Sequence, residues 1–260
     1  MYSIDFISEE DFEKHVNNTL LQYKDNMKAI NLKKFNSNII DPIKLLFDKN
    51  VFNTTYKEII SYEIHRQRDK SNTNAIGYFH QNIFKYFKNC KVPKHGWDII
   101  FTNKDGLIYY VELKNKHNTM NSTASSKTYK RMQNQLLTNS NEEAQCICAL
   151  VEVISKVAGN RPWELSIDNQ KMKIDKIRRI SIDCFYEMVT GKKDAFYQIC
   201  KQLPVTIDKL ISKNITLTAE SDTVNQELKG LNKDEIIALY LLAFSEYKGF
   251  NDLNNFTILF

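Results

Sequence analysis

The stretch that decides the fold is Gly96–Met132, with the sequence GWDIIFTNKDGLIYYVELKNKHNTMNSTASSKTYKRM. It begins with Asp98 in an apolar segment and, after a turn, enters a second apolar segment that ends in Glu112-Leu113-Lys114. The following residues, 115–141, contain no acidic side chain. Two carboxylates beside a lysine, followed by a basic and amide-rich segment, indicate metal-assisted chemistry on a phosphate backbone.

The two apolar segments form a predicted β-hairpin. Both are rich in β-branched and aromatic residues, which is typical of strands. If Lys104-Asp105-Gly106 is the loop and Gly106 takes the left-handed conformation of a bulged turn, Asn103 lies opposite Leu107. The predicted strands are Trp97–Phe101 and Leu107–Leu113.

This register decides whether the carboxylates meet. Counting back from the turn places Asp98 opposite Glu112, with Cβ atoms about 4.5–5.5 Å apart, and puts Lys114 on the same face. Two carboxylates at that distance repel each other unless a cation joins them. A loop one residue shorter would shift the register and send Asp98 and Glu112 to opposite faces. The catalytic interpretation therefore depends on the turn.

Mg²⁺ is the ion that suits such a pair, because it takes one or two carboxylates, waters and phosphate oxygens as ligands. It would lower the pKa of an attacking water and stabilise charge on the scissile phosphate. Lys114 would orient that water or neutralise the transition state. Many surface hairpins carry Asp and Glu-x-Lys without any chemistry. The apolar strand that ends at Glu112, and the acid-free segment after it, favour the catalytic interpretation.

The arrangement of Asp98 and Glu112-x-Lys114 resembles the core of the PD-(D/E)xK nucleases, in which a helix precedes a hairpin and a helix and a strand follow it. Trp97 stands where the name of that superfamily has proline. The segments Glu112–Ser122 and Asp69–Gln81 resemble those of type II restriction endonucleases that cut GGNCC- or GGWCC-type sites.

This resemblance implies an α/β fold with a mixed central sheet, a nuclease core of helix, hairpin, helix and strand, and flanking N- and C-terminal helices. It also implies Mg²⁺-dependent hydrolysis of double-stranded DNA at a short palindromic, GGNCC-like site, giving 5′-phosphate ends. Asp98 and Glu112 would bind the metal, and Lys114 would assist the water. A homodimer reads a palindrome most simply. Two alternatives stay open: a non-catalytic DNA-binding protein, and a repair or junction-resolving nuclease of the same superfamily.

The candidate DNA contacts follow the hairpin directly. Cationic side chains there are natural partners of phosphates, and short polar side chains could position the backbone or read base edges. Lys127 and Arg131 are favoured for guanine, since Arg or Lys to guanine is the commonest contact in the major groove. The alternative for each residue is a solvated loop or helix face. The candidates are Lys116, Asn118, Asn121, Ser122, Lys127, Lys130 and Arg131.

Four polar residues have an undecided role. Glu63, on a helix before the hairpin, could complete the metal site or be a solvated glutamate. His80 and Gln81 present the same choice. Glu152 lies in the apolar run CICALVEVI, residues 146–154, which predicts a strand covered on both faces. If Glu152 points inward it needs a partner, with Lys114 as one candidate.

The rest of the chain is predicted to be one domain over residues 1–260. The catalytic core would span about residues 55–182, with helical additions at 1–54 and 183–260. The predicted helices are 8–30, 42–47, 54–69, 75–88, 126–137, 184–190, 193–212 and 232–247, with a break at Asp69–Asn74. Further strands are predicted at 146–154, 163–167 and 177–182.

The composition is ordinary for a globular protein, and the distribution of charge says more about function than the net charge of +5 does. Residues 201–260 carry six Lys against eight Asp and Glu, a net charge of −2. Because the whole chain has a net charge of +5, residues 1–200 carry a net charge of +7. Positive charge near the candidate site would attract phosphates. The five cysteines have irregular spacing, which favours reduced thiols and a cytoplasmic location. No apolar run is long enough to predict a membrane span.

Overall fold

The computed structural model describes residues 2–139, 145–167, 170–214 and 220–244. Within these residues, six strands form a single sheet in the order β1-β2-β3-β4-β6-β5. The strands are β1 (Cys90–Lys91), β2 (Ile99–Thr102), β3 (Ile108–Lys116), β4 (Cys146–Ile154), β5 (Asn160–Ile167) and β6 (Gln170–Ser181). The helices are α1 (Glu9–Asn26), α2 (Leu32–Asn36), α3 (Pro42–Val51), α4 (Tyr56–Asn82), α5 (Ser122–Thr138), α6 (Ile182–Thr190), α7 (Ala195–Asn214), α8 (Val224–Gly230) and α9 (Glu235–Ala243). The α/β class with a mixed sheet and flanking helices is confirmed.

The β2–β3 hairpin has the predicted turn. Ile99 lies opposite Val111, and the Asn103 N–H donates to the Leu107 carbonyl at 3.0 Å. Gly106 has a φ of 80°, a left-handed conformation that is unfavourable for a residue with a Cβ. The Asn103 side chain also accepts the Leu107 N–H at 2.8 Å. The three-residue loop that the catalytic interpretation requires is therefore present.

The sheet combines antiparallel and parallel pairs. β2 and β3 are antiparallel, whereas β3 pairs parallel with β4, and β4 pairs parallel with β6. The connection from β3 to β4 passes through α5, as expected for parallel neighbours. Since β3, β4 and β6 run in one direction, their carboxyl ends lie at one edge of the sheet. Ligands of α/β proteins commonly bind outside that edge.

Two apolar layers cover the two faces of this sheet. Val111 and Leu113 of β3 point into one layer, together with side chains of α1, α6 and α7. The other layer contains Tyr129 and Met132 of α5 and Trp163 of β5. Because side chains alternate along a strand, Glu112 and Lys114 of β3 share the face that α5 covers.

The predicted break at Asp69–Asn74 is wrong, since α4 continues from Tyr56 to Asn82. The segment is polar but contains neither Gly nor Pro, and a polar exposed face does not end a helix. Asn72 accepts a hydrogen bond from Asn26 at 2.9 Å, and the Ser71 hydroxyl donates to the Gln67 carbonyl at 3.1 Å. These local contacts are compatible with the helix.

Several other boundaries differ from the predicted ones. α5 begins at Ser122 rather than 126, because Asn121 caps it. β6 begins at Gln170 rather than 177. The short helices α2 and α8 were not predicted. The strand predicted at 146–154 is confirmed with the same bounds. Of the helix predicted at 232–247, the part after residue 244 lies outside the described residues.

The chain divides into two compact units. One comprises Met1–Leu21 and Asn74–Ile215 and contains the sheet; the other comprises Gln22–Thr73 and Thr216–Phe260. The second unit has its own core, built on Phe35, Ile60 and Leu239. The single domain over residues 1–260 stays a prediction.

The five cysteines, all within the described residues, are present as thiols. Three of them, Cys90, Cys146 and Cys148, are buried. In the part of the chain that the structure describes, none of the helices is long and apolar enough to cross a membrane.

Candidate active site

Asp98 lies at the bend just before β2, where the hairpin ladder ends. Its N–H donates to the Val111 carbonyl at 3.0 Å, and its carboxylate oxygen Oδ2 accepts the Leu113 N–H at 2.8 Å. The Gln81 side chain of α4 donates to the Asp98 carbonyl at 3.1 Å. Three contacts from two elements therefore hold Asp98 beside β3. The predicted strand from Trp97 is wrong by two residues, because the Asp98 carboxylate takes the place of a main-chain acceptor.

Glu112 and Lys114 alternate with the buried residues Val111 and Leu113. The Lys114 ammonium Nζ lies 2.7 Å from Glu112 Oε1. The Glu112 side chain is only 15% exposed, so this carboxylate is largely removed from water. The predicted pairing of Glu112 and Lys114 on one face is confirmed.

A fourth charged residue, Arg131 of α5, completes the cluster. Its Nη1 lies 3.2 Å from Glu112 Oε2. Its guanidinium carbon is 3.9 Å from the centroid of a Trp97 ring, a cation–π geometry. The Trp97 indole N–H donates to the Gln135 side chain at 3.0 Å, one turn further along α5. The sequence predicted Arg131 only as a DNA contact and predicted no contact between it and Trp97.

The electrostatics of the cluster are visible in the pKa of Asp98. Burial raises that pKa, and the nearby Glu112 carboxylate raises it further. The Leu113 N–H, Lys114 and Arg131 act in the opposite direction. A cation bound between the two carboxylates would lower the pKa of Asp98, because it favours the charged form.

Asp98 and Glu112 fit a Mg²⁺ site of the open kind. Among the described residues there is no group of three or more His, Cys, Asp and Glu side chains that could enclose a metal ion. Mg²⁺ commonly binds through one or two carboxylates and fills its remaining positions with water and phosphate oxygens. The two carboxylates are therefore sufficient to bind Mg²⁺ when a nucleic-acid phosphate supplies a further oxygen ligand.

Glu152 points inward, and its partner is Arg179 of β6. The guanidinium donates to both carboxylate oxygens, Nε to Oε2 at 2.9 Å and Nη2 to Oε1 at 2.5 Å. Glu152 is 1% exposed and pairs in the ladder with Lys114 on the adjacent strand. Arg179 also donates to the His117 carbonyl at 3.3 Å, where the chain leaves β3. The sequence signal for Arg179 was the pair Arg178-Arg179, which stands between Ile177 and Ile180 in the strand predicted at 177–182.

The other three undecided residues have defined surroundings. Glu63 is 7% exposed and receives two hydrogen bonds from Arg66, at 2.6 and 2.7 Å, so it is a buried ion-pair member rather than a solvated glutamate. Burial lowers the pKa of His80 to about 4, so its imidazole is neutral near pH 7. Gln81 positions the Asp98 main chain, as described above.

The predicted DNA contacts extend from the end of β3 along α5. Lys116 and Asn118 are exposed at the end of β3 and in the turn that follows. Asn121 caps α5 by accepting the Ala124 N–H at 2.8 Å. An open groove beside the cluster brings the other four candidates together. Its lining residues include Ser122, Lys127, Lys130 and Arg131, together with Ser166 of β5.

Replacing Asn121 by alanine should destabilise the protein by about 1 kcal/mol, because α5 loses its side-chain cap. Asn121→Asp should retain the stability, since aspartate caps equally well. Urea unfolding followed by circular dichroism measures the difference. Asn118→Ala is the matched control, with an expected change within about 0.5 kcal/mol. Equal losses in Asn121→Ala and Asn118→Ala would contradict the capping role.

Comparisons with known proteins identify the family of this chain. Residues 4–212 match the Eco47II restriction endonuclease family. The chain is 28% identical over 216 residues to the type II restriction enzyme Sau96I of Staphylococcus aureus, covering 80% of this chain and 81% of that protein. It is also 28% identical over 221 residues to the type II restriction enzyme Eco47II of Escherichia coli, covering 83% and 91%.

Proposed function

The chain belongs to the Eco47II restriction endonuclease family, and from that premise we propose that it cuts double-stranded DNA with Mg²⁺ held by Asp98 and Glu112. Its relatives are type II restriction enzymes, and the chain is a site-specific deoxyribonuclease. The main support for the metal proposal is that Asp98, Glu112 and Lys114 lie close together at one end of the hairpin. A basic groove lies directly beside them.

The proposed core is that of the PD-(D/E)xK nucleases. The carboxyl-terminal part of α4 precedes the β2–β3 hairpin, and α5 and β4 follow it. This order, with Asp98 before β2 and Glu112-x-Lys114 on β3, supports the assignment.

Each residue then has a chemical role. Asp98 and Glu112 hold the ion, which when bound lowers the pKa of a water and stabilises charge on the phosphate. Lys114, 2.7 Å from Glu112, orients the attacking water or neutralises negative charge that develops on the phosphate oxygens. The water loses a proton to the solvent as its oxygen forms a bond to phosphorus, the bond from phosphorus to the 3′ oxygen breaks, and the 3′ oxygen takes up a proton to become a hydroxyl. The product carries a 5′-phosphate.

Incubation with plasmid DNA tests the proposal. We expect discrete fragments in Mg²⁺, ends that a 5′-phosphate-dependent ligase rejoins, and no cleavage in EDTA. Sequencing the ends identifies the site, which we propose to be a short palindrome of the GGNCC type. An uncut plasmid rich in such sites would overturn the proposed specificity. Cleavage only of branched or damaged DNA would instead favour a repair or junction-resolving nuclease, and binding without nicking would favour a non-catalytic protein.

The exposed cations near the groove should contribute to the salt dependence of DNA binding. Lys127→Ala removes one exposed cation from the groove wall. We expect the slope of log K against log salt to change by about 0.9, because one fewer counterion is released. Binding measured by fluorescence anisotropy at several salt concentrations gives the slope. Lys85→Ala, exposed after α4 and next to residues of the opposite apolar layer, is the control and should leave the slope unchanged.

A homodimer is the assembly that we propose, because two identical subunits match the two halves of a palindrome. Light scattering of the protein bound to a single-site duplex should give a mass of two chains. A complex with one chain per duplex would contradict the dimer.

A further inference from the structure

We propose that Arg131 is a displaceable counter-ion of the active site. In this structure it holds one oxygen of Glu112, and when Mg²⁺ binds it transfers to a phosphate of the DNA. The inference rests on the metal site of the proposed function and adds to it a step that links metal binding to DNA binding.

Both oxygens of Glu112 are occupied by cationic groups. Lys114 holds Oε1 at 2.7 Å, and Arg131 holds Oε2 at 3.2 Å. A metal ion that binds Glu112 meets electrostatic repulsion from both. The contact of Arg131 is the longer of the two, and its side chain is 41% exposed against 30% for Lys114. Displacing Arg131 from Glu112 should therefore require less free energy than displacing Lys114.

Trp97 gives the displaced guanidinium a fixed place. Arg131 lies over the Trp97 ring at 3.9 Å, and Trp97 is 8% exposed and bonded to Gln135. The guanidinium is thus held by a contact that does not depend on Glu112. It has five N–H donors in a planar fork, which fits a phosphate as well as a carboxylate.

The neighbouring groove shows where a phosphate would be met. Arg131 lines this groove with Lys127, which precedes it by one helical turn. The same residue therefore borders both the carboxylate cluster and the candidate DNA surface. After its transfer, the Arg131 guanidinium would neutralise a phosphate of the DNA, and the metal ion would neutralise the Glu112 carboxylate in its place.

This role predicts effects of opposite sign for one substitution. Arg131→Gln should increase the affinity of the DNA-free protein for Mg²⁺ by roughly three- to tenfold, because a competing cation is lost. The same substitution should weaken DNA binding when Mg²⁺ is present. Lys127→Gln, which removes an equal charge from the same helix, should change the Mg²⁺ affinity less than twofold.

Two measurements on the full chain test the metal step. Calorimetric titration with Mg²⁺ alone gives the affinities of the wild type, Arg131→Gln and Lys127→Gln. In a Trp163→Phe background, Trp97 is the remaining tryptophan. We expect Mg²⁺ to change its fluorescence, and we expect that change to be lost in Arg131→Gln. Calorimetry without the Trp163 substitution gives the affinity ratio even if Trp163→Phe folds poorly.

DNA binding tests the phosphate step. In a Lys114→Ala background, which should not cleave, duplex affinity is measured in EDTA and in Mg²⁺. Arg131→Gln should weaken binding several-fold more in Mg²⁺ than in EDTA, whereas Lys127→Gln should weaken it equally in both. Equal effects of the two substitutions on Mg²⁺ and DNA affinity would overturn the inference, while cleavage by the wild type would leave the proposed function standing. If the wild type showed no Mg²⁺ binding and no Mg²⁺-dependent cleavage, both the inference and the proposed function would be overturned.

Discussion

Lys114→Ala is expected to lower the rate of DNA cleavage by about 10²–10³-fold, since it removes a cation aimed at charge that develops in the transition state. DNA binding in EDTA should change little, because Lys114 is directed at Glu112 rather than at the groove. Asp98→Asn should lose cleavage to a similar degree, because the metal keeps a single carboxylate. Single-turnover cleavage of a short duplex at saturating Mg²⁺ measures the rate of the chemical step directly.

A lysine on the same strand serves as the control. Lys116 is exposed at the end of β3, two residues beyond Lys114. Lys116→Ala should weaken DNA binding in a salt-dependent way and leave the single-turnover rate at saturation within a few-fold of the wild type. If Lys114→Ala and Lys116→Ala were equally active at saturation, the catalytic role of Lys114 would be wrong. Thermal unfolding of each variant separates lost chemistry from lost folding.

Arg179→Ala is expected to destabilise the protein by about 3 kcal/mol or more. It leaves Glu152, which is 1% exposed, as a buried carboxylate without its cationic partner. The Arg179 side chain is 27% exposed, so part of the loss is offset by water that reaches the site. The free energy of unfolding, measured with urea at pH 7, gives the difference.

Two comparisons isolate the cause of that loss. Arg178→Ala removes the neighbouring guanidinium, which bonds exposed Asn160, and should cost within about 1 kcal/mol. The double variant Glu152→Met with Arg179→Met should be more stable than Arg179→Ala, because it leaves no buried charge. An Arg179→Ala protein as stable as Arg178→Ala would refute the explanation.

Local signals in the sequence were sufficient to predict the hairpin. Alternating apolar residues, a turn with glycine in the required place and the spacing from Asp98 to Glu112 are all short-range features. The structure agrees in the turn at Gly106 and in the register of Ile99 with Val111. The resemblance to type II restriction endonucleases rested on Glu112–Ser122 and on Asp69–Gln81, and it is confirmed by the family match. The roles of Asp98, Glu112 and Lys114 stay predictions until they are measured.

Helix boundaries were less predictable than the hairpin. The polar residues Asp69–Asn74 are typical of a break, yet α4 continues through them. The segment is largely exposed and contains neither Gly nor Pro, so its polarity alone does not end the helix. The cap at Asn121, by contrast, is a local feature that sequence reasoning overlooked.

The sequence by itself determined three features of the hairpin: the alternation of its side chains between two faces, its turn, and the spacing of Asp98, Glu112 and Lys114. Each of these features depends only on residues that are near in the sequence. The tertiary structure alone decided which distant charges meet them. Arg131 lies nineteen positions from Glu112, and Arg179 lies twenty-seven from Glu152. Those pairs form because α5 packs on one face of the sheet and β6 pairs with β4 within it. No spacing along the chain encodes that contact, since it follows from the burial of apolar faces.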